Sequence, residues 1–284
     1  MSDREWHIKG HLDAELIVTP ALPPHFHINL STRDTPDGES TIIELKMGSH
    51  PAPKITLYTA YACPWAHRSQ VALAELGLEF ETVHIDLTVP RTKEYLAVNP
   101  RGLVPALSYN GEILTESGVI SQFLVDAHPS HLEKTSREEG GALQRARYNF
   151  FIDTYISKIN PHYFASMRGV TAEDREKAGA ELVDVVLKEI EPLLQNAGPF
   201  FGGSERLTFV EVQTAGFVLR LLKFPNYEEL LPKSILVGLE QKTPAFWKWA
   251  NAISKEKSVT YVWNEKEIAE ATLAKIKKTR AAAA

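Results

Sequence analysis

The apolar and polar positions of this chain follow two periods, and the switch between them divides it. From about residue 54 to 127, short runs with strand character alternate with stretches of helical composition. Ile55-Thr56-Leu57-Tyr58 predicts a first strand. Trp65 to Leu76, rich in Ala, Leu, Gln and Glu, predicts a helix stopped by Gly77. Phe80 to Ile85 reads as a second strand, and Arg91 to Val98 as a short helix halted by Asn99-Pro100. Ala106 to Tyr109 and Glu112 to Thr115 flank Asn110-Gly111, a strong hairpin signal. Ser117 to Asp126 predicts a helix that ends before Pro129. The order is βαβ, α, a ββ hairpin, then α. A right-handed crossover feeding a four-stranded sheet is its natural assembly.

Ser130 to Gly141 is charged, ends in a Gly pair and reads as a linker. Beyond it the spacing of apolar residues is helical throughout, first over Leu143 to Ile159 and Arg175 to Leu194. Thr208 and Glu211 predict a capping box ahead of the apolar run Val212 to Leu222. Thr243-Pro244 predicts the start of a helix bearing Trp247 and Trp249. Lys275 to Ala284, mostly basic or Ala, is expected to fray. Residues 1–50, punctuated by Pro20, Pro23, Pro24 and Pro36 with Asp34, Asp37 and Gly38, read as an irregular extension along the surface of the main body. The expected organisation is thus an extension over 1–50, an α/β domain over 51–130 and an all-helical domain over 141–270.

Composition narrows the function classes. The 284 residues are 44 % hydrophobic and 24 % charged, as in a soluble globular protein. A net charge of −5 gives no reason to expect a nucleic acid or an anionic membrane as partner. No apolar run approaches the roughly 20 residues of a membrane helix. Met1 to Gly10 has no apolar core of a secretory signal, so a cytoplasmic location is expected. The single cysteine, Cys63, forbids an intrachain disulfide and a Cys₂ zinc site, and no metal is expected.

Cys63 follows the first strand and precedes a helix that opens on Pro64, a residue suited to the first helical turn. A thiol there faces unpaired backbone N–H groups and the positive end of the helix dipole, and both favour the thiolate. With no second cysteine to resolve a mixed disulfide, any exchange chemistry must use an external thiol. Val104-Pro105, just before the third strand, is a candidate cis bond. Such a bond would leave the Val104 backbone free to pair with an extended ligand. Glu116-Ser117 joins the fourth strand to the third helix. Ser117 is a candidate N-cap, the helix start suits a carboxylate, and Glu116 suits an amine.

Together Cys63-Pro64-Trp65-Ala66-His67-Arg68, Asn99 through Leu107 and Glu116-Ser117 resemble the glutathione transferases. The resemblance is firmest over residues 54–127 and continues through Leu207 to Phe217. The cysteine hexapeptide resembles the omega class and its fungal relatives, and also the glutathionyl-hydroquinone reductases. The resemblance implies a thioredoxin-like N-terminal domain (βαβαββα) followed by an all-helical C-terminal domain. It implies Cys63 as catalytic thiol, with glutathione as substrate and a small electrophile, disulfide or conjugate as co-substrate. It implies glutathione contacts from Trp65 and Arg91 at the glycine end, Val104 and Pro105 at the cysteinyl part, and Glu116 and Ser117 at the γ-glutamyl part. A thiol transferase acting through a cysteine–glutathione mixed disulfide follows, with a hydroquinone reductase or a non-catalytic binding protein on the same scaffold as alternatives. A homodimer is expected from the family. Tyr148, Phe151, Tyr155 and Tyr163 are candidates for the wall of the second-substrate site.

Overall fold

The computed structural model describes residues 26–35, 38–47 and 52–282, and these fall into two compact units, 1–53 and 54–284. The first contains an antiparallel hairpin of β1 (Phe26–Thr35) and β2 (Gly38–Met47), whose register pairs Phe26 with Met47 and Thr35 with Gly38. This corrects the expectation of an irregular stretch there. Pro36, Asp37 and Gly38 separate two runs that contain Ile, Leu and Thr, residue types suited to strands. The remainder of the expected extension lies outside the described residues.

The second unit opens with a four-stranded sheet in the order β4-β3-β5-β6. Its strands are β3 (Ile55–Thr59), β4 (Glu81–His84), β5 (Ala106–Tyr109) and β6 (Glu112–Thr115). β4 runs parallel to β3 because α1 (Pro64–Glu75) crosses between them. β5 and β6 are antiparallel neighbours joined at Asn110, with φ +53°, and Gly111, with φ +93°. α2 (Lys93–Val98) is capped by Thr92, whose hydroxyl accepts the Tyr95 N–H, and α3 (Ser117–Ala127) follows β6.

The register decides where the chemistry lies. Tyr58 pairs with Ala106 and Ala106 with Thr115. The exit of β3, the entry to β5 and the exit of β6 therefore share one end of the sheet. Cys63, the Val104–Pro105 bond and Glu116 lie just beyond those three points.

Helices fill the rest. α4 (Gly141–Thr154) passes through a π-helical turn, Tyr155–Ile159, into α5 (Asn160–Arg168). α6 (Ala172–Val185) likewise ends in a π-helical turn and a 3₁₀ turn that runs to Leu194. α7 (Phe209–Lys223) is buried over almost its whole length, packed against α1 and α3 on one side and α4 and α9 (Pro244–Ile253) on another. Its capping box forms as predicted: Thr208 Oγ accepts a backbone N–H of the first turn, and Glu211 Oε2 accepts the Thr208 N–H at 2.7 Å. α8 (Ser234–Lys242), α10 (Lys257–Thr260) and α11 (Glu265–Ala281) complete the bundle. One apolar core runs from Leu57, Val71 and Leu107 beneath the sheet to Phe217 and Trp249 among the helices.

The predicted fraying from Lys275 is also corrected as far as Ala281, where α11 ends; residues 283–284 lie outside the described residues. Ile276 is buried, and Arg280 Nη2 donates to the carbonyls of Met167 at 2.6 Å and Glu229 at 2.8 Å, which ties the end of the helix to the body. No described helix is long and apolar enough to cross a membrane.

Candidate active site

Cys63 is the N-cap of α1, with an extended backbone and no side chain capping the helix. Its N–H donates to Ala60 O at 2.9 Å, and its own carbonyl accepts from His67 N at 3.2 Å. These bonds hold the residue at the mouth of the helix, where the first N–H groups are free. Sγ lies 3.9 Å from the carbonyl oxygen of Val104. The Val104–Pro105 bond is cis, as the sequence suggested. Among the described residues no acceptor meets the Val104 N–H. The nucleophile and an open backbone donor thus sit side by side.

The loop before Val104 is stapled from several directions. The Asn99 amide donates to Leu103 O at 2.8 Å, and the Tyr95 hydroxyl donates to the same oxygen. Arg91 Nε donates to Gly102 O at 3.0 Å, and Nη1 donates to Asp86 O at 2.8 Å and Val89 O at 2.6 Å. Arg91, expected at a ligand carboxylate, therefore spends three N–H donations on backbone. Gly102 has φ +63°, and a Cβ there would come within 3.1 Å of Arg91 Cγ, so glycine is required for the turn. Together with Leu87, Val89, Pro90, Leu96 and Arg101, these residues line a shallow recess of about 450 Å³.

At the third strand end, Glu116 rather than Ser117 is the N-cap of α3, which corrects the predicted cap. Glu116 takes φ +70° and ψ +115°, conformational space that non-glycine residues seldom occupy. Its carboxylate pairs with Arg101. Ser117 is the first helical residue, and its hydroxyl accepts from Arg68 Nη1 at 3.4 Å instead of capping the helix. The free N–H groups at the start of α3 remain open to an anion.

Trp65 turns toward the helices. Its ring meets Phe217 of α7 edge-on at 4.7 Å, and the Arg68 guanidinium lies 4.7 Å from its centroid. Its place is on the boundary between sheet and helices rather than beside the recess of Arg91. The proposed wall residues are core: Phe151 and Tyr155 are fully buried and Tyr148 and Tyr163 nearly so. Tyr148 and Phe151 pack on Phe201, and Phe151 also on Trp249. Burial and the nearby Glu211 push the Tyr148 hydroxyl up to about 12. The half-buried aromatic rings at the boundary are Trp65 and Phe164, both packed on Phe217.

Three residues of the site were not singled out for these roles in the sequence. Arg101 meets Glu116. Arg68, 5 % exposed, donates from Nε to Gln213 O at 2.8 Å, and burial draws its pKa down to about 10. Arg220 of α7 donates to Tyr61 O at 2.7 Å, across 159 positions of sequence. Placement early in α1, five residues after Cys63, could have marked Arg68. Nothing in the local pattern marks Arg220.

Residues 57–134 match the model of the glutathione S-transferase N-terminal domain. The chain is 28 % identical over 205 residues to glutathione transferase omega-1 of Caenorhabditis elegans, covering 68 % of this chain and 74 % of that one. It is 30 % identical over 213 residues to a probable glutathione S-transferase, GSTU1, of Oryza sativa subsp. indica, covering 72 % and 87 %. Among solved structures, glutathione transferase Omega 1C of Trametes versicolor superposes with a TM-score of 0.65 and 28 % identity, over 80 % of this chain and 98 % of that one. A thiol at the start of α1, a cis-proline bond beside it and an acidic residue at the start of α3, on a sheet domain followed by helices, agree with these likenesses: the chain belongs to the glutathione S-transferase family and is an omega-like member of it.

Proposed function

We propose that this enzyme is a thiol transferase that passes glutathionyl groups through a mixed disulfide on Cys63. The observation that carries the reading is that the chain's only cysteine sits at the N-cap position of α1, with Sγ 3.9 Å from Val104 O and beside the open Val104 N–H. In the reading, the γ-glutamyl end of glutathione meets Glu116 and the first N–H groups of α3. The cysteinyl part pairs with the Val104 backbone, and the glycine end lies toward Arg91.

The Cys63 thiolate attacks the glutathionyl sulfur of a mixed disulfide. A Cys63–glutathione disulfide forms, the substrate S–S bond breaks, and the substrate leaves as a thiolate that takes up a proton from solvent. The thiolate of a second glutathione then attacks the glutathionyl sulfur on Cys63 and releases oxidised glutathione and the free Cys63 thiolate. A hydroxyl or tyrosine at this position could only polarise glutathione. A cysteine accepts it covalently, which favours transfer over conjugation.

Intact mass spectrometry beside a mixed-disulfide reduction assay tests this. Wild-type protein treated with oxidised glutathione should gain one glutathionyl group, removable by reduced glutathione, and Cys63→Ser should lose both adduct and turnover. Full thiol transfer by Cys63→Ser would overturn the mechanism. Turnover of glutathionyl-quinone conjugates in preference to mixed disulfides would reassign the enzyme as a hydroquinone reductase, and absence of any turnover would favour a binding protein. The sheet and helical domains are proposed to span 51–130 and 141–270, in a cytoplasmic homodimer. Light scattering that gives one chain per particle would refute the dimer.

A further inference from the structure

Arg220 is 1 % exposed, and its surroundings are unusual for a buried cation. Nη1 donates to Gly216 O at 2.7 Å and to His67 Nδ1 at 3.2 Å, and Nη2 donates to Tyr61 O at 2.7 Å. The guanidinium carbon lies 5.1 Å from the centroid of Trp263. Among the described residues no carboxylate pairs with it, and Nε has no partner. A charge withdrawn from water is ordinarily matched by an opposite one. Burial disfavours its charged form, and Tyr163 and Cys63 oppose that shift.

The two atoms that Arg220 grips outside its own helix bracket the thiol. Tyr61 O is two residues before Cys63, and the His67 ring is four residues after it. The other face of that ring is fixed as well, since Nε2 donates to Val259 O of α10 at 2.8 Å. His67 is thereby held as the neutral tautomer that accepts from Arg220 on Nδ1. At the same contact α7 approaches α1 so closely that a Cβ on Gly216 would come within 2.7 Å of Pro64 O and 2.9 Å of His67 Cβ.

We infer that Arg220 is the positioning residue for the Cys63 nucleophile: from α7 it fixes the turn that carries the thiol, and it sets a buried positive charge against that turn. The inference rests on the reading of Cys63 as nucleophile. The other titratable groups electrostatically linked to Cys63 are Arg68 on α1 and Tyr95 on α2. Arg68 also lacks a carboxylate, and it stacks on the Trp65 ring, but its hydrogen bonds run to Gln213 O and Ser117 Oγ and none reaches the backbone of the 61–67 turn. It adds charge without holding the turn.

The test is the rate at which iodoacetamide, a neutral reagent, alkylates the chain's only thiol near neutral pH. The thiolate forms the S–C bond as the C–I bond breaks. Arg220→Gln should slow alkylation by about tenfold or more, and Arg220→Lys, which keeps the charge, should recover most of the rate. In mixed-disulfide turnover the loss should fall on kcat and leave KM for glutathione near the wild-type value. If Arg220→Gln does not fold, Gly216→Ala carries the test, because it retains the guanidinium and wedges α7 from the 61–67 turn; it too should slow alkylation. A folded Arg220→Gln or Gly216→Ala with the wild-type alkylation rate would overturn the inference, as would a loss confined to KM. Alkylation needs no glutathione, so a wild-type protein without disulfide turnover would remove the proposed function and leave this test standing.

Discussion

Arg101, on the turn that leads to the cis bond, pairs with Glu116, the N-cap of α3 held at φ +70°. Both side chains are more than half exposed, at 64 % and 55 %, so solvent screens the pair and its own contribution to stability is under about 1 kcal/mol. The strained backbone of Glu116 is therefore not explained by this partner. In the proposed reading, a ligand ammonium is the partner of this carboxylate. Glu116→Gln should weaken glutathione binding by about 1.5 to 3 kcal/mol, the range for a hydrogen bond to a charged group. Arg101→Gln and Thr115→Ala should each change it by less than about 1 kcal/mol. Isothermal titration on the three variants makes the comparison, and equal losses would remove Glu116 from the γ-glutamyl site.

Arg91 offers a split between binding and chemistry. Its guanidinium holds the carbonyls of Asp86, Val89 and Gly102, and so shapes the recess at the proposed glycine end. Arg91→Ala should raise KM for glutathione by about tenfold and leave kcat within a factor of about two, since the residue does not reach the Cys63 turn. Arg91→Lys keeps the charge but cannot bridge all three carbonyls, and should fall between the two. A fall in kcat with KM unchanged would contradict this placement.

The sheet domain was legible because each of its elements is bounded by a residue with a local reason to stop there. Gly77, Asn99-Pro100 and Asn110-Gly111 each end a run where the structure ends it. Cys63, Val104-Pro105 and Glu116 could be grouped because strand register brings three strand ends together. Hidden features depend on contacts that no local pattern encodes. Arg220 meets Tyr61 and His67 across 159 and 153 positions. Ser117 has the composition of a cap, yet the positive φ of Glu116 moves the helix start by one residue. Tyr148, Phe151 and Tyr155 have helical spacing compatible with either a cleft or a core, and only burial distinguishes these, with Tyr148 and Phe151 packed on Phe201 and Phe151 also on Trp249. The β1–β2 hairpin was obscured because Pro36, Asp37 and Gly38 between the two runs resemble the punctuation of an irregular segment.

Glu211 joins the bundle at its centre. Its carboxylate accepts from Thr208 N at 2.7 Å, Thr208 Oγ at 2.6 Å, Phe201 N at 2.8 Å and Trp249 Nε1 at 2.6 Å. Burial pushes its pKa up, and these donors oppose that shift. Glu211→Ala would leave several donors buried without acceptors and should cost about 3 to 5 kcal/mol, measured by urea unfolding. Glu211→Gln should cost nearly as much, because the amide turns an N–H toward donors. A loss below about 1 kcal/mol for either variant would mean that water reaches these groups.

His67 gives the fold a pH dependence whose sign can be worked out. Burial, then the charge of Arg220, lowers its pKa from the ordinary 6.5 to about 3, against a smaller opposing effect of the bond to Val259 O. The unfolded chain therefore protonates this ring near pH 6.5, and the folded chain only near 3. Between those values the unfolded state binds more protons, so stability rises with pH. The contribution of the neutral ring is fully present above 6.5 and is lost as pH falls toward 3, by about 1.4 kcal/mol for each pH unit. His67→Gln can still accept from Arg220 and donate to Val259 O but has nothing to titrate. It should be less stable than wild type at neutral pH, with a shallower decline between about pH 6 and 5 by about 1.4 kcal/mol. Other titrating groups are common to both proteins and cancel in the difference. Urea unfolding at several pH values on the two proteins makes the measurement. Parallel declines would mean that the folded protein takes up the proton on His67 as readily as the unfolded chain does, which the paired bonds to Arg220 and Val259 forbid.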